Sequence, residues 1–419
     1  MNHVLSVTLS VLAVLLLTGC WEKDNPVRTS LNVDTSTLTL AVGESATRTT
    51  TTKAQWDYQI TYTSSNPAVA TVDQTGKVTA VSEGEAVITV SMAETIKSWY
   101  AAATRSYNVV VKKLSISGAV AINAANGYSG RLTAPDGVAV TWSSNHPEIL
   151  SVDANGNLTF VSVSLAGADV TITGTSKSNP SVSDSMVINV SPQVGMIIAD
   201  NSKVYTPNSY DASYGKKVAI VAYKGAAGTA DKSDGSSGYV GLAIALTDAN
   251  NGANCKWYTT DAGPCVAHCC EIVTAIGATD GFGKGIDNTN TLADGCGASH
   301  DHAAAKVAKN FQYDASVAAG VHPTGTSQWF LPTMYHWNLI VKGMCGNHGD
   351  LSLSNNDNYN NTNFNVKITA AGGTGVLADV YWSCDEGGAG NTWSIYFNNG
   401  DASLYSKSYS HYVRPVLAF

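Results

Sequence analysis

The sequence predicts a multidomain protein in which two all-β sandwiches are followed by an α+β domain. The first observation is an internal repeat, because residues 60–90 reappear at 140–173 as short alternating strands between Pro and Gly turns. The second is a change of composition after Pro192, beyond which lie all the cysteines but one and five of the nine tryptophans. The third is a mixture of helical and alternating apolar periodicities in that last part.

The composition excludes several classes of protein. Only 13% of the 419 residues are charged, about half the usual quarter. Lys and Arg total 24 against 32 Asp and Glu, and the net charge of −8 offers no basic surface for phosphates, so we expect no nucleic-acid partner. With 44% apolar residues the chain is too hydrophobic for a disordered stalk. Uncharged Thr, Ser, Asn and Gly replace the missing charges, which favours an exported β-rich protein.

The first residues are typical of an export signal. Residues 4–17 form an apolar run that is too short to span a bilayer comfortably but matches the core of a signal peptide. Thr18-Gly19-Cys20 then resembles the lipobox of bacterial lipoproteins, although no Lys or Arg precedes the run. The resemblance implies a signal peptide at 1–19, lipidation of Cys20 and a linker at 20–30. It places the protein in the outer membrane, lipid-anchored and surface-exposed; an ordinary secretory signal is the alternative.

The two repeats align at an offset of 80 residues. The segment from Ile60 to Pro67 corresponds to that from Val140 to Pro147, and D-Q-T-G at 73–76 corresponds to D-A-N-G at 153–156. In both D-Q-T-G and D-A-N-G, Asp and Gly are the residues expected at the first and last positions of a type I turn. We expect each repeat to be a β-sandwich, since about 80 residues with strands at this spacing suit that fold.

The motif S-S-N-P, followed by V-D-x-x-G-x-(V/L)-T, resembles the bacterial Ig-like domains of group 2. The resemblance covers 31–112 and, with S-S-N-H-P in place of the first part, 114–192. It implies a surface spacer or an adhesive module. Neither repeat contains a cysteine or a cluster of histidines, which favours a spacer over direct ligand binding.

Strands and helices alternate in the C-terminal domain. Apolar runs at 218–223 and 241–246 predict buried strands. Near the end, Trp393, Ile395 and Phe397 alternate with Ser394 and Tyr396, which predicts one face for a core and one for water.

Three helices are expected in the same domain. The first begins at Pro264, and the third has Pro332 in its first turn. The second is capped by Ser299, with Asp301 in its first turn and one apolar face. That face carries Ala303, Val307 and Phe311.

Five segments of this domain occur in the order found in one family. They are G-L-A-I-A-L at 241–246, W-F-L-P-T at 329–333, H-W-N at 336–338, Y-W-S at 381–383 and Y-V-R-P-V at 412–416. In this order they resemble the C-type-lectin-like domain of bacterial surface lipoproteins, particularly the variable proteins diversified by retroelements. The resemblance implies a C-type-lectin-like fold over 193–419 that displays a ligand-binding face. The scaffold residues would be Trp329, Pro332, Trp337, Trp382, Trp393 and Arg414.

The residues between the late scaffold positions suggest where a ligand binds. In the diversified members, mutagenesis of adenine-rich codons produces mainly Tyr, Ser, His, Asp, Gly and Cys, and antibody paratopes are also rich in Tyr and Ser. We therefore predict ligand binding by Cys384, Asp385, Asn391, Ser394, Tyr396, Asp401, Ser403, Leu404, Tyr405, Ser406, Ser408, Tyr409, Ser410 and His411. A merely solvated Ser/Tyr/Asn surface is the alternative. Arg414 is expected to be structural, with its guanidinium holding loop carbonyls or a carboxylate.

The sequence departs from the calcium-dependent lectins. It has neither E-P-N nor Q-P-D, and no W-N-D. The Asn-rich segment 354–363 contains a single carboxylate, too few for a tight calcium site. We expect the 350–365 region to be a mobile, hydrogen-bonding loop beside the binding face.

Cysteines and histidines raise the question of a metal. C-x-x-H-C-C at 265–270 and H-D-H at 300–302 have the ligand types of a zinc site. In an exported chain, disulfides compete for the same thiols, so we expect no metal. Seven cysteines after Cys20 then allow three bridges with one thiol left over, which we assign to Cys384.

No motif of a catalytic site is present. G-x-S-x-G, H-E-x-x-H and the P-loop are absent, and Asp385 and Glu386 would point to opposite faces of a strand. We therefore expect neither enzymatic activity nor a cofactor. The sequence predicts a surface adhesin or receptor that binds a protein or glycan of another cell, a host or a phage. A structural subunit or tip of a surface appendage is the alternative.

Overall fold

The computed structural model of the protein describes residues 29–95, 100–123, 125–225, 239–258, 284–294, 301–346 and 361–419. These residues divide into two compact units. The N-terminal unit comprises the chain up to Ile116 with Ala134–Thr141 and Gly174–Asp184, and the C-terminal unit comprises Ser117–Thr133, Trp142–Thr173 and Ser185–Phe419. The predicted signal peptide, Cys20 and the helix expected from Pro264 lie outside the described residues. No helix in the described ranges is long and apolar enough to cross a membrane.

The first repeat folds as two packed sheets. One has the order β2-β9-β8-β5, with β2 parallel to β9, and the other has the order β3-β7-β6; β1 pairs with β4. Every second residue of β8 is buried, including Ile88 and Val90, because one face of its sheet covers the core. The strands are β1 (Leu31–Asn32), β2 (Leu38–Ala41), β3 (Ser45–Thr47), β4 (Thr51–Thr52), β5 (Ile60–Ser64), β6 (Ala70–Val72), β7 (Lys77–Ala80), β8 (Gly84–Met92) and β9 (Ala103–Lys112).

The second repeat has strands at corresponding positions. They form sheets of the order β10-β11-β14-β13 and β12-β16-β17, while β15 joins the sheet of the C-terminal domain. The strands are β10 (Val120–Asn123), β11 (Gly127–Arg131), β12 (Val140–Ser144), β13 (Leu150–Val152), β14 (Asn157–Phe160), β15 (Val163–Ser164), β16 (Ala168–Ser176) and β17 (Ser183–Val190).

The same turn recurs in both repeats. The Asp73 carboxylate accepts hydrogen bonds from the backbone N–H groups of Thr75 and Lys77, at 2.8 and 3.0 Å. Asp153 does the same for Asn155 and Asn157, at 2.8 Å each. The turns end at glycines with φ of 81° and 83°, a left-handed conformation in which a Cβ is strained. Asp and Gly at these ends therefore reflect backbone geometry, as the sequence predicts.

The C-terminal domain is built on an antiparallel sheet of the order β15-β19-β18-β20-β21-β27. A second sheet, β23-β24-β25, and a short pair, β22-β26, follow along the chain. The strands are β18 (Ile197–Ala199), β19 (Lys203–Tyr205), β20 (Lys217–Lys224), β21 (Gly241–Ala245), β22 (Cys255–Lys256), β23 (Val380–Glu386), β24 (Asn391–Tyr396), β25 (Asp401–Ser406), β26 (Ser410–His411) and β27 (Val416–Ala418). The α-helices of the described chain are α1 (Gly285–Ala293), α2 (Ala303–Lys309), α3 (Met334–Cys345) and α4 (Asn361–Ala370).

The central strands β20 and β21 are buried on both faces. Ala243 and Ala245 lie in a core that also contains Val170 and Ile172 of the second repeat. Leu242 and Ile244 face the opposite way, into a core with α3 and α4. This explains why the sequence shows continuous apolar runs here instead of alternation.

The second repeat and the C-terminal domain share more than a core. Strand β15 pairs antiparallel with β19, Val163 opposite Val204. The hydroxyl of Tyr128 accepts from the Ser191 N–H at 2.9 Å, which fixes the chain where the composition changes. The predicted boundary between 114–192 and 193–419 therefore falls inside one compact unit.

The helices differ in detail from those predicted. Helix α3 begins at Met334, and its N-cap is Thr333, so Pro332 lies before the helix and not in its first turn. The Thr333 hydroxyl accepts from the His336 N–H at 3.1 Å, and the His336 ring accepts from the Thr333 N–H at 3.3 Å. Of the face expected from the apolar spacing, Phe311 is buried just after α2, Val307 packs partly buried against the same core, and Ala303 is half-buried. Helix α2 is preceded by His302, and it also buries Ala304, Ala305 and Ala308. Because alanine is small, this face gave no strong periodicity. Helices α1 and α4 were not predicted.

A buried arginine holds the C-terminal domain together. The Arg414 guanidinium donates to Asp248 Oδ1 at 2.6 Å and to the carbonyls of Ala245 and Thr374 at 3.1 and 2.8 Å. The other Asp248 oxygen accepts from the Tyr381 hydroxyl at 3.1 Å. Burial raises the pKa of Asp248, and the neighbouring Arg414 charge opposes that shift.

Arg414→Met is expected to lower the free energy of unfolding by about 3–5 kcal/mol, because it leaves a buried carboxylate and two carbonyls without their donor. Arg131→Met is the matched control: this exposed arginine donates to one loop carbonyl, and its loss should cost no more than about 0.5 kcal/mol. Urea unfolding of the full chain, followed by tryptophan fluorescence, measures both. Equal, small changes in the two variants would contradict the structural role of Arg414.

Candidate binding face

Three strands bring the predicted ligand-binding residues onto one sheet. In the register of β23-β24-β25, Tyr396 lies opposite Asp401, and Ser394 opposite both Trp382 and Ser403. Because side chains alternate along β25, Asp401, Ser403 and Tyr405 share a face, and Ala402 on the other face is buried in the core.

His411 lies against this face. Its ring centre is 4.4 Å from that of Trp382 and 4.9 Å from that of Tyr405, both in edge-to-face geometry. Tyr409, whose side chain is 59% exposed, lies 6.3 Å from it. We call Tyr396, Asp401, Ser403, Tyr405, Tyr409 and His411 the binding face.

The binding face carries no positive charge at neutral pH. Burial lowers the pKa of His411, against the opposing effect of Asp379, so the imidazole is neutral at pH 7. Burial, followed by the influence of Tyr396, Asp401 and Asp379, raises the pKa of Tyr405 and keeps its hydroxyl protonated. The face therefore presents neutral hydrogen-bonding groups and aromatic rings beside a carboxylate.

Three polar atoms under the binding face are buried and have no hydrogen-bond partner among the described residues. They are Ser394 Oγ, Asp401 Oδ1 and His411 Nε2. The other Asp401 oxygen accepts from the Asn399 amide at 2.6 Å. Most buried polar atoms in proteins are paired, so a group of three marks this sheet as polar beneath its surface.

Some predicted ligand-binding residues do not reach the surface. Cys384, Asp385 and Ser394 are at most 2% exposed. Cys384 packs into the core shared with the second repeat, and Asp385 accepts from the Met334 N–H at the start of α3. Ser394 is buried on the central strand β24, between its neighbours Trp382 on β23 and Ser403 on β25. These three residues are therefore removed from the binding face, and the expected wet face of β24 is also corrected.

The remaining predicted residues are exposed, except for the half-buried Ser406, but they lie elsewhere. Leu404, 45% exposed, is on the other face of β25, and Asn391 and Ser406 pair at the end of the sheet. Tyr409 is flanked by Ser408, in the exposed turn before β26, and by Ser410, the first residue of β26. The structure thus brings together four of the predicted residues on one face of the sheet, with His411 of β26 against them and Tyr409 in the turn beside it. Most of the 350–365 loop lies outside the described residues, and its last part belongs to α4.

A fully buried ion pair supports the edge of the sheet, and sequence reasoning missed it. Lys407 Nζ lies 2.5 Å from Glu386 Oε1 and donates to the Ala389 carbonyl at 3.2 Å. The same ammonium lies 4.7 Å from the ring centre of Trp257. Both charged side chains are 0% exposed. The sequence offered one signal for this ion pair: glutamate is rare in this domain, and Glu386 is one of two glutamates after residue 193.

Only some of the cysteines and of the histidines considered as metal ligands lie among the described residues. Cys255 is a free thiol whose pKa burial raises to about 11, so the arrangement of three bridges with Cys384 left over is wrong. The sequence motif at 265–270 and His300 lie outside the described residues. Within the described ranges, no three His, Cys, Asp or Glu side chains are placed to share a metal ion.

Residues 27–99 match the bacterial Ig-like domain of group 2, so the first repeat contains such a domain. No curated protein matches the chain.

Among solved structures, the chain is similar to a fimbrial protein from Bacteroides ovatus, with 12% identity and a TM-score of 0.39 over 94% of this chain and 100% of that one. It is also similar to the first two extracellular domains of human protocadherin-24, with 14% identity and a TM-score of 0.17 over 40% and 99%. A SusE-like, surface-located polysaccharide-binding protein from Bacteroides thetaiotaomicron shows 13% identity and a TM-score of 0.17 over 64% and 49%. At TM-scores below 0.5, these similarities assign neither a fold nor a function.

The buried Asp385 predicts a pH-dependent effect of substitution. Burial raises its pKa to about 7, above its unfolded value of about 3.9, so its contribution to stability falls as the pH rises from about 4 to 7. Asp385→Asn stays neutral and should therefore gain up to about 4 kcal/mol relative to the wild type across that range. Urea unfolding at pH 4, 5.5 and 7 measures the difference, with Asp136→Asn, at an exposed carboxylate, as control. A difference that does not vary with pH would show that Asp385 is ionised in the folded protein.

Proposed function

We propose that the protein is a lipid-anchored cell-surface adhesin or receptor that binds a protein or glycan non-covalently through the binding face. The observation that carries the proposal is a set of half-buried Asp, Ser, Tyr and His side chains on β25 and β26, with the exposed Tyr409 in the turn between these strands. The C-terminal domain is proposed to be C-type-lectin-like, and binding needs neither catalysis nor a cofactor.

The chemistry of the binding face suits specific contacts. Tyr405 and Tyr409 offer rigid aromatic area with a hydroxyl at its end, and Ser403 adds a small hydrogen-bonding group. Ser408 and Ser410, beside the face, add two more. Such a combination gives affinity at a low cost in side-chain entropy. His411 is neutral and Lys407 is buried, so neither adds an exposed cation to the face, although the exposed Lys256 of β22 lies opposite Ser410 beside it.

The support beneath the face suits a binding surface whose residues vary. The face lies mostly on strands, and the Lys407–Glu386 pair ties the turn after β25 to the end of β23. Backbone hydrogen bonds add to this, because Lys407 donates its N–H to Gly390 at 3.0 Å and accepts from the Trp257 N–H at 3.2 Å. Exposed side chains can change on such a frame without loss of the fold. Diversification by a retroelement is proposed on this basis, and adenine-confined differences between the 3′ end of the gene and a nearby near-repeat would support it.

The N-terminal part is proposed to hold the binding face away from the cell. The lipobox-like Cys20 provides the anchor in the outer membrane, and the Ig-like repeats act as spacers. The described strands of both repeats present Thr and Ser to solvent, with pairs such as Ser91 and Thr104 side by side on neighbouring strands.

Tyr409→Ala is expected to weaken binding at least tenfold, because an exposed tyrosine of a binding surface commonly contributes about 1–2 kcal/mol or more. The measurement uses the full chain on a printed glycan array and on panels of fixed bacterial and epithelial cells. Tyr58→Ala, at a 47% exposed tyrosine of the first repeat, is the matched control. Equal binding by both variants and the wild type would sink the proposal. Wild-type protein that binds no probe but assembles into filaments would favour the appendage alternative.

A further inference from the structure

A cavity of about 800 Å³ lies in the C-terminal domain, apart from the residues of the binding face. One wall is the loop after β21, with Asn250 and Asn251, and the other is the C-terminal part of α2 with the residues that follow, including Asn310 and Gln312. Thr374 closes one side. Its size is within the range of about 300–1,000 Å³ found for small-molecule sites.

Side-chain amides dominate the polar part of this cavity. The Asn310 amide donates to the Lys306 carbonyl at 3.0 Å, and the Gln312 amide donates to the carbonyls of Ala315 and Val317. These bonds use the NH₂ groups and orient the side chains, and no described group donates to either amide oxygen. The wall therefore offers acceptors of fixed position, and Asn251 adds both a donor and an acceptor.

The charged groups that line the cavity are already compensated. Lys306 Nζ lies 2.6 Å from Asp301, and Asp248 is paired with Arg414 at 2.6 Å. A phosphate, sulfate or carboxylate would find no unpaired cation among these lining groups. The cavity is therefore suited to an uncharged ligand.

The loop after β21, which forms the wall with Asn250 and Asn251, is held in a strained backbone conformation. Asn250 and Asn251 have φ of 54° and 55°, and Gly252 has 77°, so three consecutive residues are left-handed. For residues other than glycine this conformation costs about 1–2 kcal/mol each. The loop is tied down at its start by the Ala249 N–H, which donates to Val413 at 2.9 Å. Strain of this kind persists where the surrounding structure enforces it, which is frequent at ligand sites.

Apolar side chains lie beside the amides of Asn310 and Gln312 on the same wall. Phe311 and Val307 line the cavity, and the Phe311 ring is fixed edge-to-face on Trp329 with 4.8 Å between ring centres. A sugar has the matching chemistry, because its hydroxyls bond to amides while its C–H faces pack on apolar side chains.

We propose that this cavity binds a neutral oligosaccharide. The inference concerns a second site and does not depend on the binding face, since none of the cavity residues named above belongs to that face. The amides select hydroxyl groups, the compensated charges exclude acidic sugars, and the strained loop holds Asn251 at the mouth of the site.

The test measures binding of the full chain to an array of neutral, sialylated and sulfated oligosaccharides, followed by calorimetry on the neutral hits. Asn251→Gly removes one amide but keeps the left-handed backbone, and Gln312→Ala removes another. Each should weaken binding of neutral oligosaccharides at least tenfold. Asn254→Ala, at an exposed asparagine outside the cavity lining, and Tyr409→Ala should leave it within twofold. Melting temperatures separate loss of a contact from loss of the fold.

Several outcomes would overturn this inference. Binding of sialylated or sulfated sugars alone would contradict the neutral cavity, and so would no binding of any neutral oligosaccharide at millimolar concentration. Neutral binding that Tyr409→Ala abolishes and Asn251→Gly leaves intact would place the sugar on the binding face, which would support the proposed function and not the cavity. Binding to cells lost only in Tyr409→Ala, with sugar binding lost only in Asn251→Gly, would establish two sites.

Discussion

The C-terminal domain depends on one buried contact, that of the Arg414 guanidinium with Asp248. Through it the last strand region, the loop after β21 and the segment before β23 are held at fixed distances. The Tyr381 hydroxyl on the second Asp248 oxygen extends this to β23, and thus to the sheet of the binding face. Because burial penalises both charges, loss of either partner would leave an uncompensated charge in the core and destabilise the domain. Both the binding face and the oligosaccharide cavity lie on elements that this one arginine positions.

Two ion pairs of the C-terminal domain are buried, whereas others, such as Lys216–Asp314 and Lys306–Asp301, lie at its surface. Arg414–Asp248 and Lys407–Glu386 are each almost fully buried, and they tie loops to strands at two places of the C-terminal domain. The surfaces for which we propose binding carry mainly hydroxyls, amides and aromatic rings. This division agrees with the low charge of the sequence: attraction at long range is weak, and contacts depend on shape and hydrogen bonding.

Patterns of neighbouring residues in the sequence predicted the features that depend on local backbone geometry. The repeat offset and the Asp and Gly of the turns reflect backbone geometry, and they appear in the structure. Trp393, Ile395 and Phe397 are buried as their alternation predicts, but the water-exposed face predicted for Ser394 is not. Helix α4 was missed because its Asn-rich sequence has low helical propensity and only Phe364 and Ile368 anchor it in the core. The interior position of Ser394 depends on the strands on either side of β24, which place Trp382 and Ser403 next to it, and no pattern within β24 contains that information. The Arg414 contact was expected in kind, although its partners could not be named. A C-type-lectin-like fold and the role of the binding face stay predictions.

The pairing of β15 with β19, and the core that the second repeat shares with the C-terminal domain, also bear on how such genes can change. Recombination at the apparent boundary near codon 192 would join two halves of a hydrophobic core from different parents, with mismatched side chains on β16 and β21. New binding specificities would then not arise by exchange of whole C-terminal domains between different N-terminal repeats. They would accumulate as single-codon changes in the exposed turn and strand near the C-terminus, where a substitution alters the surface and leaves the shared core untouched.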